Sequence, residues 1–137
     1  PLAQSRGGEL TCVLGCGGDR DPGKRPLMAA AAEAFADAVV LTSDNPRSES
    51  PQAIVAAMVQ GLQHPEKVTI DTDRASAIQA LIDQADSQDV VLVAGKGHET
   101  YQEIQGVRHA FSDVEHVQAA LQRRAARLSH TGQEAQA

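Results

Sequence analysis

Val90-Val91-Leu92-Val93-Ala94, followed at once by Gly95-Lys96-Gly97-His98-Glu99, is the stretch on which the fold turns. An unbroken Val-Val-Leu-Val run without polar alternation reads as a strand buried on both faces, the pattern of a parallel sheet covered by helices on either side. The glycines then end the strand, and a lysine, a histidine and a glutamate gather just beyond it. Two other places repeat the arrangement: Leu10–Leu14 runs into Gly15-Cys16-Gly17-Gly18-Asp19-Arg20, and Ala38–Thr42 into Asp44-Asn45-Pro46-Arg47. In an open parallel sheet, ligands bind beyond the carboxyl ends of the strands. Three polar loops at three such ends point to one shared site.

Helical patterns fill the spaces between these strands. Pro26 suits the first turn of a helix, and the alanine-rich Leu27–Phe35 carries it to about Asp37. Ser50 is an N-cap with Pro51 behind it, and Ile54, Val55, Met58, Val59 and Leu62 recur at helical spacing within Gln52–Gln63. Lys67–Ile70 reads as a third strand. Asp73 caps a helix whose inner stripe is Ala77, Ile78, Leu81 and Ile82; the rest of Thr69–Ala85 shows nothing diagnostic. Tyr101–Ile104 and Val107–Ala110 flank Gln105-Gly106, a hairpin turn that would add an antiparallel edge. Ser112 or Asp113 caps a last helix to about Leu128. The regular strand–helix alternation predicts an α/β domain with a mostly parallel sheet and a late antiparallel hairpin. Residues 1–9 read as a linker, 10–128 as the domain and 129–137 as a polar, flexible tail.

Composition bounds the function. The 137 residues fit one domain. Apolar content is 42%, but aromatics are only 2% (Phe35, Tyr101 and Phe111), so the core is aliphatic and stacking recognition of single strands is disfavoured. The net charge of −6 lacks the basic footprint of a nucleic-acid binder. No segment reaches the roughly 20 apolar residues of a membrane span. No signal peptide is legible, and with no initiator methionine the chain reads as a piece of a longer cytoplasmic protein. Cys12 reads as a strand residue and Cys16 as a loop thiol, with neither a disulfide framework nor a zinc set around them. His64, His109, His116 and His130 are scattered, and no metal-ligand cluster stands out.

The first loop imitates two phosphate-binding motifs. Gly18 to Gly23-Lys24 has P-loop spacing, but Arg25 occupies the position of the hydroxyl that would hold magnesium. Gly15-x-Gly17 fails as a dinucleotide fingerprint because Arg20 stands where the third glycine belongs. What remains is a loop of backbone N–H groups with Arg20, Lys24 and Arg25 ahead of a helix, a combination that favours anions or is simply solvated. In Asp44-Asn45-Pro46-Arg47 the carboxylate can take an ammonium, the amide can donate and accept, and the guanidinium can fork onto a carboxylate. That set suits a ligand bearing both amino and carboxyl groups; a charged helix-entry turn is the plain alternative. Glu99 could bind an amine, and His98 could carry a proton or serve as a structural hydrogen-bonder.

Taken together, Gly-Cys-Gly-Gly-Asp-Arg-Asp-x-Gly-Lys-Arg-Pro-Leu-Met, Asp-Asn-Pro-Arg and Ala-Gly-Lys-Gly-His-Glu-x-Tyr-Gln resemble the C-terminal domain of the Mur ligases, over about Leu10 to Leu121. The resemblance implies a Rossmann-like three-layer domain and a cytoplasmic step of peptidoglycan synthesis. ATP would phosphorylate the terminal glutamate carboxylate of a UDP-N-acetylmuramoyl dipeptide, and the amine of meso-diaminopimelate would attack the acyl phosphate. By the family pattern Arg20, Asp44, Asn45, Pro46, Arg47, Gly95 and Glu99 line the amino-acid pocket, with Lys24, Arg25 and His98 as candidate ATP or phosphate contacts. The Asp-Asn-Pro-Arg form resembles the diaminopimelate-adding type, since Arg47 can pair with a distal carboxylate that lysine lacks. The family's ATP loop, carbamylated lysine and Mg2+ ligands belong to a central domain and its sugar-nucleotide site to another, so this chain alone is expected to be inactive. Other peptidoglycan ligases are candidate partners. A folate polyglutamate ligase, a lysine-adding ligase, or a non-catalytic module for an anionic metabolite are the competing readings.

Overall fold

A computed structural model describes residues 5–136, with side chains described through residue 129. Strands β1 (Leu10–Cys16), β2 (Ala38–Ser43), β3 (Thr69–Ile70) and β4 (Val90–Ala94) form one sheet in the order β3-β2-β1-β4, every neighbouring pair parallel. Helices α1 (Lys24–Phe35), α2 (Pro51–Val59), α3 (Arg74–Gln84) and α4 (Asp113–Gln136) follow the strands, and β5 (Tyr101–Ile104) pairs with β6 (Val107–Ala110) as a hairpin. This is the α/β architecture the alternation predicts.

The side-chain alternation of the two inner strands divides the core. Cys12, Leu14 and Cys16 of β1 and Val39 and Leu41 of β2 pack against Ala29 and Ala32 of α1 and Ile54, Val55 and Met58 of α2. Val13 and Val40 point the other way, onto Ala77 of α3, while Ile78 and Ile82 meet Ala120 of α4. Each of the fully buried valine, leucine, isoleucine and methionine side chains among these contributes about 1.5–3 kcal/mol, and the alanines less. The predicted caps are present: Ser50 Oγ accepts from Ala53 N at 3.4 Å, and Asp73 Oδ1 from Ser76 N at 3.1 Å. At α4 the capping hydroxyl is Ser112, which accepts from Glu115 N at 3.3 Å, because Asp113 is drawn into a buried ion pair.

Several expectations are corrected. β4 is not buried on both faces. It is one of the two edge strands among the described residues, and Leu92 is 43% exposed on the face it shares with Cys12. The deeply buried strands are β1 and β2. The hairpin does not extend the sheet edge but forms a separate two-stranded sheet, joined to the loop after β2 by a β-bridge between Arg47 and Ile104 and by side-chain contacts. Cys16 is no loop thiol: it ends β1, 5% exposed, with its Sγ 3.6 Å from Met28 Sδ. The third strand shrinks to Thr69–Ile70 because Pro65–Lys67 turns as a 3-10 segment. α2 stops at Val59, just before Gly61, whose backbone lies so close to the Pro26 carbonyl that a Cβ would collide with it. α4 continues past Leu128 to Gln136, since no proline interrupts its backbone there.

Candidate functional site

The loops after β1, β2 and β4 meet at one end of the sheet. Asp44 and Asn45 leave the end of β2 and are 9% and 2% exposed; Pro46 is fully buried. Gly18 N donates to Asn45 O at 2.7 Å, and a Cβ on Gly18 would collide with the Pro46 carbonyl, so the first two loops are in main-chain contact. Gly95 takes φ +108° after β4, a conformation open to glycine. A Cβ there would lie 3.2 Å from Gly15 O and 3.7 Å from Asp44 Oδ2. Lys96, the next residue, buries its ammonium between the loops, 2.9 Å from Asp44 Oδ1 and 3.2 Å from Asn45 Oδ1. Its side chain is 0% exposed, with Glu99 Oε1 at 3.8 Å and the Tyr101 ring centroid at 5.9 Å.

The hairpin positions Arg47. This residue adopts φ +54°, the left-handed region that non-glycine residues enter only when held there. The hold is visible. Arg47 N donates to Glu103 O at 2.9 Å, and Gln105 N donates to Arg47 O at 2.7 Å. The side chain is fixed as well, with Nε 3.2 Å from Glu103 Oε2 and one terminal nitrogen donating to Gly18 O at 2.9 Å. The other terminal nitrogen has no protein partner among the described residues, so a donor pair of the guanidinium stays available at the strand ends.

Most residues named from sequence are brought together here. Arg20 and Arg47 flank Gly17, whose Cβ position lies 3.6 Å from Arg20 Cγ and 2.8 Å from an Arg47 terminal nitrogen. Asn45 Nδ2 faces Glu99 Oε1 at 3.5 Å. Lys24 and His98 are exposed. Arg25 is not: it is 5% exposed, bonded to both Glu49 oxygens at 3.2 and 2.6 Å and to Gly17 O at 3.2 Å. Its guanidinium braces the first loop against the second. The same brace, joined by the Asp19 amide, holds the Glu49 carboxyl below its usual range, and the Ser48 hydroxyl and amide do the same for Asp19. Burial raises the Cys16 thiol.

Three residues that shape the site have no distinct signal in sequence. Lys96 lies in a motif already singled out, yet nothing local says that it is buried. Glu103 sits in an ordinary hairpin strand. Arg74 occupies the segment that shows nothing diagnostic, and it is 1% exposed, with Asp113 oxygens at 2.7 Å on two of its nitrogens. Its remaining donors reach Ser43 O at 3.2 Å and Ala94 O at 3.1 Å, the last carbonyls of β2 and β4. The strand ends carrying Asp44 and Gly95 are thereby tied to α3 and α4. A separate cleft of about 340 Å³ between β4 and α4, lined by Val91, Val93, Val117 and Leu121, is apolar; its Arg124 and Asp89 are spent on backbone partners.

An open parallel sheet with mixed-charge loops over its strand ends defines an α/β domain of the class whose crevice for small ligands lies at those ends. The chain belongs to the Mur ligase family, its residues 1–97 matching the model of the Mur ligase, glutamate ligase domain. Over 124 residues it is 54% identical to the UDP-N-acetylmuramoyl-L-alanyl-D-glutamate–2,6-diaminopimelate ligase of an Acidovorax species, covering 90% of this chain and 25% of that protein. With the Pseudomonas aeruginosa protein of the same name, identity is 58% over 112 residues, 82% of this chain and 23% of the relative. A solved structure of a ligase so named superposes with a TM-score of 0.81 at 47% identity, covering 90% of this chain and 27% of that one. The chain thus spans about a quarter of the length of these relatives. No helix among the described residues is long and apolar enough to cross a membrane.

Proposed function

We propose that this chain is the amino-acid-binding domain of an ATP-dependent ligase that adds meso-diaminopimelate to UDP-N-acetylmuramoyl-L-alanyl-D-glutamate. The observation that carries the reading is Arg47: a guanidinium locked by the hairpin, with a free nitrogen at the same strand ends as Asn45 and Glu99. A fork of that kind matches a carboxylate, and Glu99 with the second Asp44 oxygen matches an ammonium. Diaminopimelate has both groups at the end that does not react; lysine has only the amine there. Arg20, beside Arg47 across Gly17, adds a second cation for the ligand's carboxylates. The names of the 54% and 58% identical relatives support the same choice.

Within this reading the chain's own residues bind and orient. Holding the far end of the amino acid fixes the near amine against its acyl partner, converting a bimolecular encounter into a positioned attack. ATP and Mg2+ belong to the full-length ligase. As the family resemblance implies, both are bound mainly by the remainder of the longer protein. Exposed Lys24 and His98 are the residues free to meet a phosphate across a domain gap. The reaction takes place in the cytoplasm, where the nucleotide substrate and ATP are found.

Phosphate release by the full-length protein, measured with meso-diaminopimelate, lysine and glutamate as acceptors, tests the reading. Turnover that depends on diaminopimelate is expected, and none from the 137-residue chain alone. Preference for lysine or glutamate would assign the chain to another ligase of the superfamily, and binding of an anionic metabolite with no turnover by any acceptor would make it a non-catalytic module.

A further inference from the structure

Lys96 is used by nothing described above except the fold itself, and its surroundings are specific. Its ammonium is wholly enclosed, and the two oxygens within hydrogen-bond distance, Asp44 Oδ1 and Asn45 Oδ1, belong to the two residues that open the second loop. Asn45 Oδ1 also accepts from Glu103 N at 2.9 Å. Both lone pairs of that carbonyl are therefore occupied, which fixes the orientation of the amide. Nδ2 must then face outward, toward Glu99, where it lies 3.5 Å from Oε1. On Asp44 the ammonium takes one oxygen and leaves Oδ2 beside Gly95.

We infer that Lys96 is a positioning residue for the amino-acid site. From inside the fold it sets the pattern that the cleft displays: acceptor at Asp44 Oδ2, donor at Asn45 Nδ2, acceptor at Glu99. The inference rests on the proposed function, because that pattern is what a carbon bearing one ammonium and one carboxylate requires. Without the ammonium, the Asn45 amide can rotate and present oxygen where the ligand's carboxylate needs a donor. Asp44 would be left as a buried carboxylate with no counter-charge, free to swing toward whatever cation is near. The flanking glycines serve the same end. Gly95 and Gly97, at φ +108° and +58°, let the chain turn sharply enough to send the Lys96 side chain inward while Glu99 stays half-exposed on the rim.

The test uses the full-length ligase and the Lys96→Met variant. The KM for diaminopimelate is expected to rise on the order of 10- to 100-fold, the loss typical of hydrogen bonds to charged groups. The KM values for ATP and the sugar nucleotide should stay within about twofold, since the change is local. A purely structural lysine would instead lower the folded fraction and kcat while leaving every KM unchanged, and that result overturns the inference. If Lys96→Met does not fold, Lys96→Gln, which keeps a donor in place of the ammonium, is measured instead; KM does not depend on the folded fraction, so a partly folded preparation suffices. A raised diaminopimelate KM with the other KM values unchanged supports positioning; an unchanged diaminopimelate KM overturns it. If the unmodified ligase shows no diaminopimelate-dependent turnover, the proposed function fails and this inference with it, a result distinct from a failure of Lys96 alone.

Discussion

Arg74 and Asp113 form a two-pronged ion pair, Nε to Oδ1 and a terminal nitrogen to Oδ2, both at 2.7 Å, with the arginine side chain 0% exposed. The residues are 39 positions apart in sequence, on the first turns of α3 and α4. Two further donors of the same guanidinium hold the final carbonyls of β2 and β4. One side chain thus registers two helices against the two strand ends from which Asp44 and Gly95 emerge.

Removing half of that pair leaves a buried charge without a counter-ion. Asp113→Ala or Arg74→Ala is expected to destabilise the fold by about 3–5 kcal/mol. The apolar double change Arg74→Met/Asp113→Leu should cost less than either single change, even though the two carbonyls lose their donors. Urea denaturation followed by circular dichroism reads the difference, and a double variant weaker than both singles would contradict this account.

Arg47 ought to discriminate between acceptor amino acids. In the full-length ligase Arg47→Ala is expected to cost about 2–5 kcal/mol in binding of diaminopimelate, the usual effect of truncating one side of a desolvated charge pair. The loss for lysine should be much smaller. Calorimetry with both ligands decides it, and equal losses would remove the specificity role. Glu103→Gln should loosen the same guanidinium without removing it, giving a smaller loss in the same direction.

Acid will weaken the loop braces before it reaches the core. Hydrogen bonding holds four carboxyls, the exposed Asp19 and the half-buried Glu33, Glu49 and Asp89, below their ordinary values. A folded-state pKa below the unfolded one means that the stabilisation is present above the unfolded value and disappears as pH falls through the folded one. With unfolded values of about 3.9 for Asp and 4.3 for Glu, the decline begins below roughly pH 5 and continues under pH 4. The urea midpoint should be flat from pH 7 to 5.5 and fall below that. Glu49→Gln should make the acid limb shallower, and an unchanged limb would show that the Arg25 brace plays no part in it.

Burial raises both thiols, Cys12 and Cys16, and neither is paired in a disulfide. Labelling by a thiol reagent at pH 8 should therefore be slow in the folded protein and accelerate in step with unfolding in urea. Rapid labelling of Cys16 under native conditions would mean that the end of β1 opens locally.

Much of this architecture is legible in the chain because it is written locally. β1 and β2 are apolar and interior, Ser50 and Asp73 are capping residues in cap positions, and Gln105-Gly106 makes its turn with both residues at positive φ. The convergence of the three loops follows from strand polarity alone. What escapes is whatever depends on neighbours distant in sequence. The Val-Val-Leu-Val run describes side chains that avoid water but not how many strands will flank it, so β4 reads as buried on both faces and instead lies at an edge with Leu92 exposed. A lysine between two glycines looks solvent-facing until two oxygens from another loop close over it. Arg74 has its counter-charge on a different helix and no spacing that announces it.

The open flank of β4 has a consequence for handling the molecule. Among the described residues no strand pairs with that flank, Leu92 lies alongside it, and such rims recruit copies of themselves. Shelf life in concentrated solution will be decided at that border rather than in the well-packed interior, and a single lysine in place of Leu92 should lengthen it.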